Sequence, residues 1–482
     1  MLGYKAPQEA TIPQEKNIGL LYNQYGQCVG VNPNLFVAYF LEHNDMVVSD
    51  GIRYYVYKRK HVWAEISEFD VKRKLRQLLH SHEEDVWSNG IERSLVGVLP
   101  LESPKAELLR SAENYINLRN GLINLDSFEL EPHQRDVFST LQLPIEYDPD
   151  AKCPNFRAFL RDVFMGDKEL VRLLQECMGY AISPSVEAQK FFILYSDGAS
   201  GKSTFCDILF ELAGGAANVS CVALADLGKR FQRSQLVDKV LNLSTESDVS
   251  GILDTQAIKA ITSGDPIQIE RKGENPFTYK VNAKIVAAVN HLPYPRDKSY
   301  AFVRRMTIIP FLRRFVDDPK AEHEAKIDRE IKSRLLDELP GILNFALNGL
   351  RRLRENELQF SESKKAKKII ASYERDVNPL LDFVKVCVTR SVKDRISTDA
   401  FYAIFREWCY ENGHTRSASL TKRRFLHELR VTLRSEGITF REQKSNGRQF
   451  FQGIKFSKAG GAFVPREYQP IVEVDSIDDL TR

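Results

Sequence analysis

Three short apolar runs in the middle of the chain predict buried β-strands. They are Phe191–Tyr195, Val240–Ser244 and Ile285–Val289, and helix-like patterns separate them. Continuous apolar runs of this length are typical of strands that are covered on both faces. Strands that alternate with helices predict a parallel α/β sheet, with a core at about residues 190–315.

The chain ahead of this core mixes strand-like and helix-like patterns, which predicts an α+β and helical accessory region over residues 1–146. Its first 30 residues combine Pro, Gln, Asn and Gly, so we expect a loose arm there. The other predicted elements are a hairpin of segments 52–58 and 61–66, a basic helix Phe69–His80, and two strands joined by an Asn-Gly turn within Asn117–Leu125.

A second predicted domain covers residues 147–372. It begins with a linker rich in Pro and Asp at residues 147–154, followed by helical periodicity over 155–183. It contains the α/β core and ends with a stretch over 320–372 that we expect to be helical.

The pattern changes again near the C-terminus. Ser397 is an N-cap candidate for a helix over Thr398–Asn412, and Leu420–Ser435 predicts a second, strongly basic helix. An Asn-Gly pair then predicts a hairpin between segments 438–441 and 450–454. Helix, helix and hairpin are the order expected of a winged helix.

We therefore predict a winged-helix domain over residues 376–458 and a disordered acidic tail over 459–482. The whole chain has 482 residues, 43% of them hydrophobic and 28% charged, and a net charge of only +3. Overall charge therefore does not indicate a nucleic-acid partner. Between Lys385 and Arg448, however, 14 Lys and Arg face 7 Asp and Glu, so the predicted winged helix is locally basic.

The seven cysteines are scattered, and no two form a C-x-x-C pair. This disfavours a zinc ribbon or a disulfide framework and favours a reducing compartment. The first residues contain no apolar signal-peptide core, and no window holds eighteen consecutive apolar residues. We expect no membrane span and a cytoplasmic location.

A glycine-bearing turn follows the first apolar run and precedes a helix-like pattern. Glycines let backbone N–H groups converge on phosphate oxygens, and the helix N-terminus adds a positive dipole end. Lys202 would reach the β- and γ-phosphates of a nucleotide, and the Ser203 hydroxyl would bind Mg²⁺. The predicted nucleotide-binding residues are Ser196, Asp197, Gly198, Ala199, Ser200, Gly201, Lys202, Ser203 and Thr204. The alternative is an ordinary Gly-Ser turn, since Ser196 stands where the usual pattern has glycine.

Polar residues follow the other two apolar runs. Glu246, with Asp248 as the second candidate, could hold Mg²⁺ through water and orient an attacking water, or could be a surface acid. Asn290 could hydrogen-bond a γ-phosphate, or could begin a turn. Arg304 and Arg305 could be solvated edge charges, or arginine fingers that reach the nucleotide of a neighbouring subunit.

Two further sets of basic residues are candidate DNA contacts. Arg271 and Lys272 lie near the tip of an alternating segment, Ser263–Lys280, that predicts a hairpin. The alternative is a plain surface hairpin. The second set belongs to the predicted winged helix, which could instead be a basic protein-protein adaptor; it consists of Lys422, Arg423, Arg424, Arg430, Lys444 and Arg448.

Together these stretches resemble the superfamily 3 helicases of the phage and plasmid primase–helicase family, which includes the poxvirus primase–helicase. The resemblance covers roughly residues 30–455. Its motifs follow in the family's order, with motif A at Gly198 and Ser200–Thr204, motif B at Glu246, the DNA hairpin at Gly264–Phe277, motif C at Asn290, and the arginine pair at Arg304 and Arg305. Ser196 replaces the family's first glycine, and Ser200 stands where the family often has Asn. Glu-Ser-Asp replaces two adjacent acids, which leaves the roles of Glu246 and Asp248 open.

The resemblance implies an AAA+ P-loop ATPase core that assembles as a ring, with a hexamer expected, and that binds ATP and Mg²⁺ between subunits. Ser203 and Glu246 would serve the metal, while Lys202 from one subunit and an arginine from the next would serve the phosphates. Single-stranded DNA would pass through the ring, gripped by Arg271 and Lys272, with translocation from 3′ to 5′. A member of this family would act in replication of a phage, plasmid or other mobile element, in the cytoplasm of a bacterial host.

Two further activities, primer synthesis and relaxase activity, are not expected of this chain. No D-x-D constellation suited to primer synthesis precedes the core, because Asp148-Pro149-Asp150 lies in the linker. His80-Ser81-His82 has a polar middle residue and a helical setting, so we expect a solvated helix face and no relaxase site. Two other functions stay open: an origin-binding initiator that uses ATP for assembly only, and a signalling or packaging ATPase.

Replacement of Lys422, Arg423 and Arg424 together by alanine should weaken binding to duplex DNA and reduce its dependence on salt, because fewer phosphates are neutralised. Titrations of a labelled duplex at several salt concentrations measure both quantities. Unchanged binding would remove the winged-helix hypothesis.

Overall fold

The computed structural model describes residues 18–49, 53–245, 252–295 and 300–463. The chain divides into two compact units, of which the first comprises residues 1–248, 256–291 and 309–361 and the second comprises 249–255, 292–308 and 362–482. None of the helices in the described ranges has the length and apolar character needed to cross a bilayer.

The N-terminal part of the first unit packs three helices on a three-stranded sheet. Its elements are β1 (Leu20–Tyr22), β2 (Cys28–Val31), α1 (Pro33–His43), β3 (Met46–Ser49), β4 (Arg53–Lys58), β5 (Val62–Ile66), α2 (Glu68–His80), α3 (Asn89–Glu102), β6 (Arg110–Ser111), β7 (Tyr115–Leu118), β8 (Gly121–Asn124), β9 (Leu130–Glu131) and β10 (Val137–Phe138). The sheet has the order β3-β4-β5. Val71, Leu75 and Leu79 of α2, spaced at one helical turn, are fully buried in its core.

The expectation of a loose arm over residues 1–30 is wrong for the described part of that segment. β1 and β2 pair as an antiparallel hairpin, with Leu20 opposite Val31. The side-chain oxygen of Asn23 accepts hydrogen bonds from the backbone N–H groups of Tyr25 and Gln27, at 2.9 and 3.0 Å. This local Asx turn closes the hairpin, and a polar composition therefore did not mean an open chain.

The next part of the chain forms the predicted α/β core. Its elements are α4 (Pro154–Val163), α5 (Lys168–Ile182), β11 (Phe191–Tyr195), α6 (Lys202–Leu212), α7 (Gly215–Asn218), β12 (Val219–Ser220), β13 (Leu241–Thr245), β14 (Ile252–Leu253), α8 (Thr255–Ser263), β15 (Pro266–Ile269), β16 (Phe277–Lys280), β17 (Lys284–Val289), β18 (Tyr294–Pro295), α9 (Tyr300–Val303), β19 (Met306–Pro310), β20 (Arg314–Val316), β21 (Glu324–Lys326), α10 (Ile331–Leu336) and α11 (Leu339–Glu355).

The three apolar runs are confirmed as neighbouring strands of one five-stranded sheet, whose order is β12-β13-β17-β11-β19. β17 lies between β13 and β11 and runs parallel to both, so that Val286 has Leu243 on one side and Phe192 on the other. Because parallel strands end at the same edge, the last residues of β11, β13 and β17 lie together there.

The expectation of helix throughout residues 320–372 is wrong at its start. β20 and β21 pair in parallel, with Phe315 opposite Ala325, and the next helix begins only at Ile331. The carboxylate of Glu324 accepts hydrogen bonds from the backbone N–H groups of Lys320 and Ala321, at 2.8 and 3.1 Å. A carboxylate that satisfies neighbouring backbone donors stabilises a turn in place of a helix.

The second unit contains the C-terminal elements in the predicted order of helix, helix and hairpin. They are α12 (Lys364–Val377), α13 (Pro379–Cys387), β22 (Val388–Ser397), α14 (Thr398–Glu411), α15 (Thr415–Ala418), α16 (Lys422–Ser435), β23 (Arg441–Ser445), β24 (Arg448–Phe456) and α17 (Lys458–Gly461). Ser397 caps α14 by accepting a hydrogen bond from the backbone N–H of Ala400, which confirms that prediction. Asn446 and Gly447 have φ of 48° and 75°, so the hairpin turn lies at the Asn-Gly pair.

The small core of this C-terminal region is aromatic. Phe405 stacks on Phe425 of α16 at 4.7 Å between ring centroids, and Phe401 meets Phe451 of β24 edge-on at 5.7 Å. These contacts join the two helices to the sheet, whose order is β22-β24-β23. The predicted acidic tail from residue 464 onward lies outside the described residues.

A close crossing of α5 and α11 supports the sheet of the first unit. A Cβ atom on Gly179 would lie 2.4 Å from the carbonyl oxygen of Ala346, and one on Gly349 would lie 2.2 Å from that of Gln175. Real Cβ atoms do not approach a backbone this closely, so the crossing depends on both glycines.

Gly179→Ala should lower the free energy of unfolding by about 3 kcal/mol, because the added methyl group must push two backbones apart. Gly97→Ala is the matched control, since Gly97 lies in α3 with nothing within 4 Å of an added Cβ. That control should raise stability by roughly 0.5–1 kcal/mol, because alanine favours helix. Urea denaturation measures both changes, and equal stability of the two variants would contradict the close crossing.

Candidate functional site

The loop between β11 and α6 adopts a conformation that depends on its small residues. Gly198, Ala199 and Gly201 have φ of 119°, 47° and 82°. Glycine tolerates this region freely, and Ala199 is held there because its carbonyl oxygen accepts a 2.7 Å hydrogen bond from the backbone N–H of Phe315 in β20.

Two serines close the base of this loop. The hydroxyl groups of Ser196 and Ser200 are 2.6 Å apart, and the Ser196 hydroxyl also accepts from the backbone N–H of Gly198 at 3.3 Å. Both serines are buried. The side chain at the position where glycine is usual therefore makes hydrogen bonds within the loop.

Lys202, the first residue of α6, points back across the sheet edge. Its Nζ donates to the carbonyl oxygens of Ser196 and Val289, each at 2.8 Å, and to Oδ1 of Asn290 at 2.7 Å. Burial lowers the pKa of Lys202 below its ordinary value, although the nearby Asp197 and Cys206 act in the opposite direction. The ammonium group therefore joins the phosphate-loop candidate to the end of β17.

The start of α6 is suited to an anion. Gly201 at the N-cap position has no side chain that could bond to the first backbone N–H groups of the helix. Those donors and the helix dipole are left for another acceptor. Ser203, in the first turn, is exposed and able to reach such an acceptor or its metal ion.

The other strand-end candidates fall in different places. Thr245, the last residue of β13, lines the same cleft as Lys202 and Asn290. Glu246 and Asp248 lie outside the described residues. Arg304 and Arg305 belong to the second unit, where Arg304 is exposed and Arg305 is buried and donates to the carbonyl oxygen of Ala301 at 2.6 Å.

The cleft beside this loop has a volume of about 500 Å³. Lys202, Ser203, Thr204 and Asn290 line one part of it, and residues from α4, β20, β21, α10 and the segment between β21 and α10 line another part. Sequence reasoning missed this second set, which includes Asn155, Phe159, Asp162, Phe315, Ile327 and Arg334. Phe159 follows an ordinary helical period, and the others have no motif spacing, so no local signal could have identified them.

The rings of Phe159 and Phe315 lie close to the loop backbone. A Cβ atom on Gly201 would be 3.2 Å from the first ring and 3.3 Å from the second. The glycine therefore allows an apolar wall directly beside a polar loop, which is the combination that a ligand with a ring and a charged tail requires.

The predicted basic hairpin is confirmed as the antiparallel pair β15–β16, with Ile269 opposite Phe277. Lys272, in the turn, is exposed. Arg271 lies 3.4 Å from a carboxylate oxygen of Glu65 and 3.6 Å from one of Glu274. One of the two candidate DNA contacts is therefore already paired with carboxylates.

The six basic candidates in the second unit divide into two groups. Three are paired within the unit: Lys422 with Asp399 at 2.5 Å, Arg424 with Glu428 at 3.0 Å, and Arg430 with Glu442 through two hydrogen bonds at 2.7 and 2.9 Å. The other three are exposed on α16 and at the hairpin turn; they are Arg423, Lys444 and Arg448.

The fold and this site define an α/β protein with a candidate anion cleft at the carboxyl edge of a parallel sheet. Three protein families match successive segments of the chain. A family described as D5 N terminal like matches residues 34–165, a family of unknown function (DUF5906) matches 194–305, and a family described as poxvirus D5 protein-like matches 375–479.

One curated relative is a protein of Acanthamoeba polyphaga mimivirus whose name provisionally calls it a helicase. It is 23% identical over 336 residues, which are 63% of this chain and 33% of the relative. The chain thus matches about a third of that relative's length. The apo structure of the NrS-1 C-terminal region has the same fold, with a TM-score of 0.50, 12% identity, and coverage of 88% of this chain and 100% of that one.

A second apo structure of that region has a TM-score of 0.48 and 13% identity, with coverage of 88% of this chain and 99% of that one. The D5-type matches at both ends of the chain, the viral relative and the shared fold agree. The chain is thus similar to the phage and viral primase–helicase family in two of its segments, and it shares the fold of the NrS-1 C-terminal region.

Ser196→Ala should lower the free energy of unfolding by roughly 1–2 kcal/mol, because it removes two hydrogen bonds and leaves the buried Ser200 hydroxyl without this partner. Ser203→Ala, at an exposed position of the same segment, should change stability by less than about 0.5 kcal/mol. Urea denaturation of the two variants makes the comparison. Equal effects would mean that the serine pair does not hold the loop.

Proposed function

We propose that this chain is an ATP-dependent DNA helicase that acts in replication of a virus, phage, plasmid or other mobile element. The observation that carries the proposal is the contact of Lys202 with Asn290 at 2.7 Å, beside a cleft of about 500 Å³. It brings the loop after β11 and the end of β17 to one point, as nucleotide hydrolysis requires. The similarity to a poxvirus D5 protein-like family and to a viral relative named as a helicase supports the same activity.

In this proposal the core is an AAA+ P-loop ATPase. ATP, bound with Mg²⁺, supplies the phosphoanhydride bond whose hydrolysis drives movement. The backbone N–H groups at the start of α6 bind phosphate oxygens, and Ser203 serves the metal. Phe159 and Phe315 offer an apolar wall to the base. Glu246, with Asp248 as the alternative, orients the attacking water.

Asn290 has a distinct role in this mechanism. All three N–H donors of Lys202 are already satisfied by protein oxygens. A phosphate oxygen must therefore replace one of them, and the exposed side chain of Asn290 can move more easily than a strand carbonyl. Asn290 then becomes able to hydrogen-bond the terminal phosphate and to respond to its loss.

DNA is the proposed partner of the hairpin and of the C-terminal region. Arg271 and Lys272 hold a single strand in the centre of a ring of identical subunits, which we propose is a hexamer. Arg304 and Arg305 reach the nucleotide of the adjacent subunit. Translocation runs from 3′ to 5′, as in relatives of superfamily 3.

A second candidate function is that of an origin-binding initiator that uses ATP for assembly only. Helix α14, helix α16 and the β23–β24 hairpin suit a winged helix that reads duplex DNA. The exposed positions of Arg423, Lys444 and Arg448 favour this use. The two functions are compatible in a helicase that loads itself at an origin.

Lys202→Ala should abolish ATP hydrolysis and the unwinding of forked DNA, because the variant loses the cation that contacts the phosphates. Lys320→Ala is the control, since Lys320 pairs with Asp318 on the surface and should leave both activities unchanged. Phosphate release and strand displacement are measured on substrates with a 3′ or a 5′ tail.

The outcomes of this experiment separate the candidate functions. Unwinding that survives Lys202→Ala contradicts the helicase proposal. If the wild type hydrolyses ATP but unwinds neither tailed substrate, the result favours the initiator. If the wild type displaces only the substrate with a 5′ tail, the result contradicts the proposed polarity.

A further inference from the structure

A network of charged side chains joins the β15–β16 hairpin to the N-terminal sheet. Glu65, on β5, accepts hydrogen bonds from Arg53 of the neighbouring strand β4, at 3.0 and 3.2 Å. The same carboxylate accepts from Arg271 in the hairpin turn at 3.4 Å. Glu65 therefore serves two arginines, one on the sheet and one on the hairpin.

Arg53 is the buried member of this network. Its side chain is only 9% exposed, and a carboxylate oxygen of Asp238 lies 3.2 Å away. Its guanidinium also lies over the hairpin rings of Phe277 and Tyr279, at 5.4 and 5.2 Å from their centroids. Burial alone would lower the pKa of Arg53, but the hydrogen bond that it donates to Glu65 and the nearby charge of Asp238 keep that pKa above its ordinary value. Arg53 is thus a permanent cation at the foot of the hairpin.

Asp238 and Tyr279 make a second connection of the same kind. The Tyr279 hydroxyl donates to Oδ1 of Asp238 at 3.1 Å, and the Asp238 backbone N–H approaches the hydroxyl oxygen at 3.1 Å. Asp238 has φ of 54°, an uncommon conformation for a non-glycine residue. Strand β16 is therefore attached to Asp238 through Tyr279, and this attachment does not depend on Arg271.

Arg271 lies at the exposed end of the network. Its side chain is 33% exposed, and its guanidinium also lies 5.3 Å from the ring centroid of Phe277. Arg271 and Lys272 share the turn between β15 and β16. The cation that is proposed to bind a DNA phosphate is thus already occupied by a carboxylate in this structure.

We propose that Glu65 is a positioning residue that holds the hairpin turn on the N-terminal sheet and competes with a nucleic-acid phosphate for Arg271. This inference rests on the proposed function, since it takes the hairpin as the contact with single-stranded DNA. A carboxylate and a phosphate present similar oxygen acceptors to a guanidinium. Strand binding must therefore release Arg271 from Glu65 before the donors can turn to DNA.

Arg53 makes this exchange feasible. When Arg271 leaves, Glu65 keeps its two hydrogen bonds to Arg53, so this half-buried carboxylate is not left unpaired. Arg271 in turn exchanges one anionic partner, the Glu65 carboxylate, for another, a DNA phosphate. The competing contact therefore weakens strand binding by a modest factor and does not prevent it.

Glu65→Gln tests this competition in the full chain. Glutamine keeps the size of the side chain and one oxygen acceptor for Arg53, but it removes the nearer of the two carboxylate charges beside Arg271 and leaves that of Glu274 in place. The variant should bind a fluorescein-labelled oligothymidylate about two- to fivefold more tightly than the wild type, as measured by anisotropy. In the background of Arg271→Ala this gain should disappear, since the competed side chain is gone. ATP hydrolysis without DNA should be unchanged.

Glu68→Gln is the matched control for net charge. Glu68 lies just after β5 and pairs with Lys72 at 2.8 Å. An equal gain in affinity for Glu68→Gln would overturn the proposal, because general charge would then explain the result. Wild-type binding with no change in Glu65→Gln also overturns it and leaves the helicase proposal intact, whereas a wild type that does not bind the oligonucleotide contradicts both.

Hydrogen exchange of the wild type keeps the inference testable if Glu65→Gln does not fold. Addition of the oligonucleotide should speed amide exchange in peptides that cover Val62–Ile66, because β5 loses its contact with the hairpin turn. Peptides that cover residues 268–278 should become protected. Unchanged exchange over Val62–Ile66 in a saturated complex overturns the proposal.

Discussion

A single buried ammonium group determines how the candidate site is assembled. Lys202 Nζ hydrogen-bonds to three oxygens, from Ser196, Val289 and Asn290, at 2.7–2.8 Å. A buried cation is costly unless its donors are satisfied, and these three acceptors satisfy all of them. The loop after β11, the start of α6 and the end of β17 are consequently fixed relative to one another. The sheet order, which makes β11 and β17 neighbours, is what allows one side chain to reach both.

The two candidate ligand contacts of the first unit use opposite electrostatic arrangements. The oxygens around Lys202 are neutral carbonyl and amide groups, so an incoming anion would add a negative charge that these partners do not provide. Around Arg271 the partners are the carboxylates of Glu65 and Glu274, so an incoming anion meets charges that it must displace. The first arrangement favours tight binding of an anion, and the second favours binding that is easily reversed.

The sequence predicted well those features that depend on local periodicity and short motifs. The three apolar runs, the Asn-Gly turn of β23–β24, the Ser397 cap and the β15–β16 hairpin follow from strand length, turn chemistry and alternation. The parallel pair β20–β21 could not be predicted in this way, because each of its strands has only three residues, too few to show a strand pattern. The same holds for the side chains brought to the cleft from distant elements, such as Phe159 and Arg334, and for Glu65 and Arg271, which are 206 residues apart.

The hydroxyl pair of Ser196 and Ser200 has a consequence for how such chains diverge. Each serine is buried and takes the other as its hydrogen-bond partner, so neither position is independent of the other. A change to glycine at position 196 would leave the Ser200 hydroxyl without its hydrogen-bond partner. A larger amide side chain at position 200 would need the space that Ser196 occupies. Substitutions at the two positions are therefore expected to be inherited together, which makes the departure from the glycine pattern a joint property of the loop.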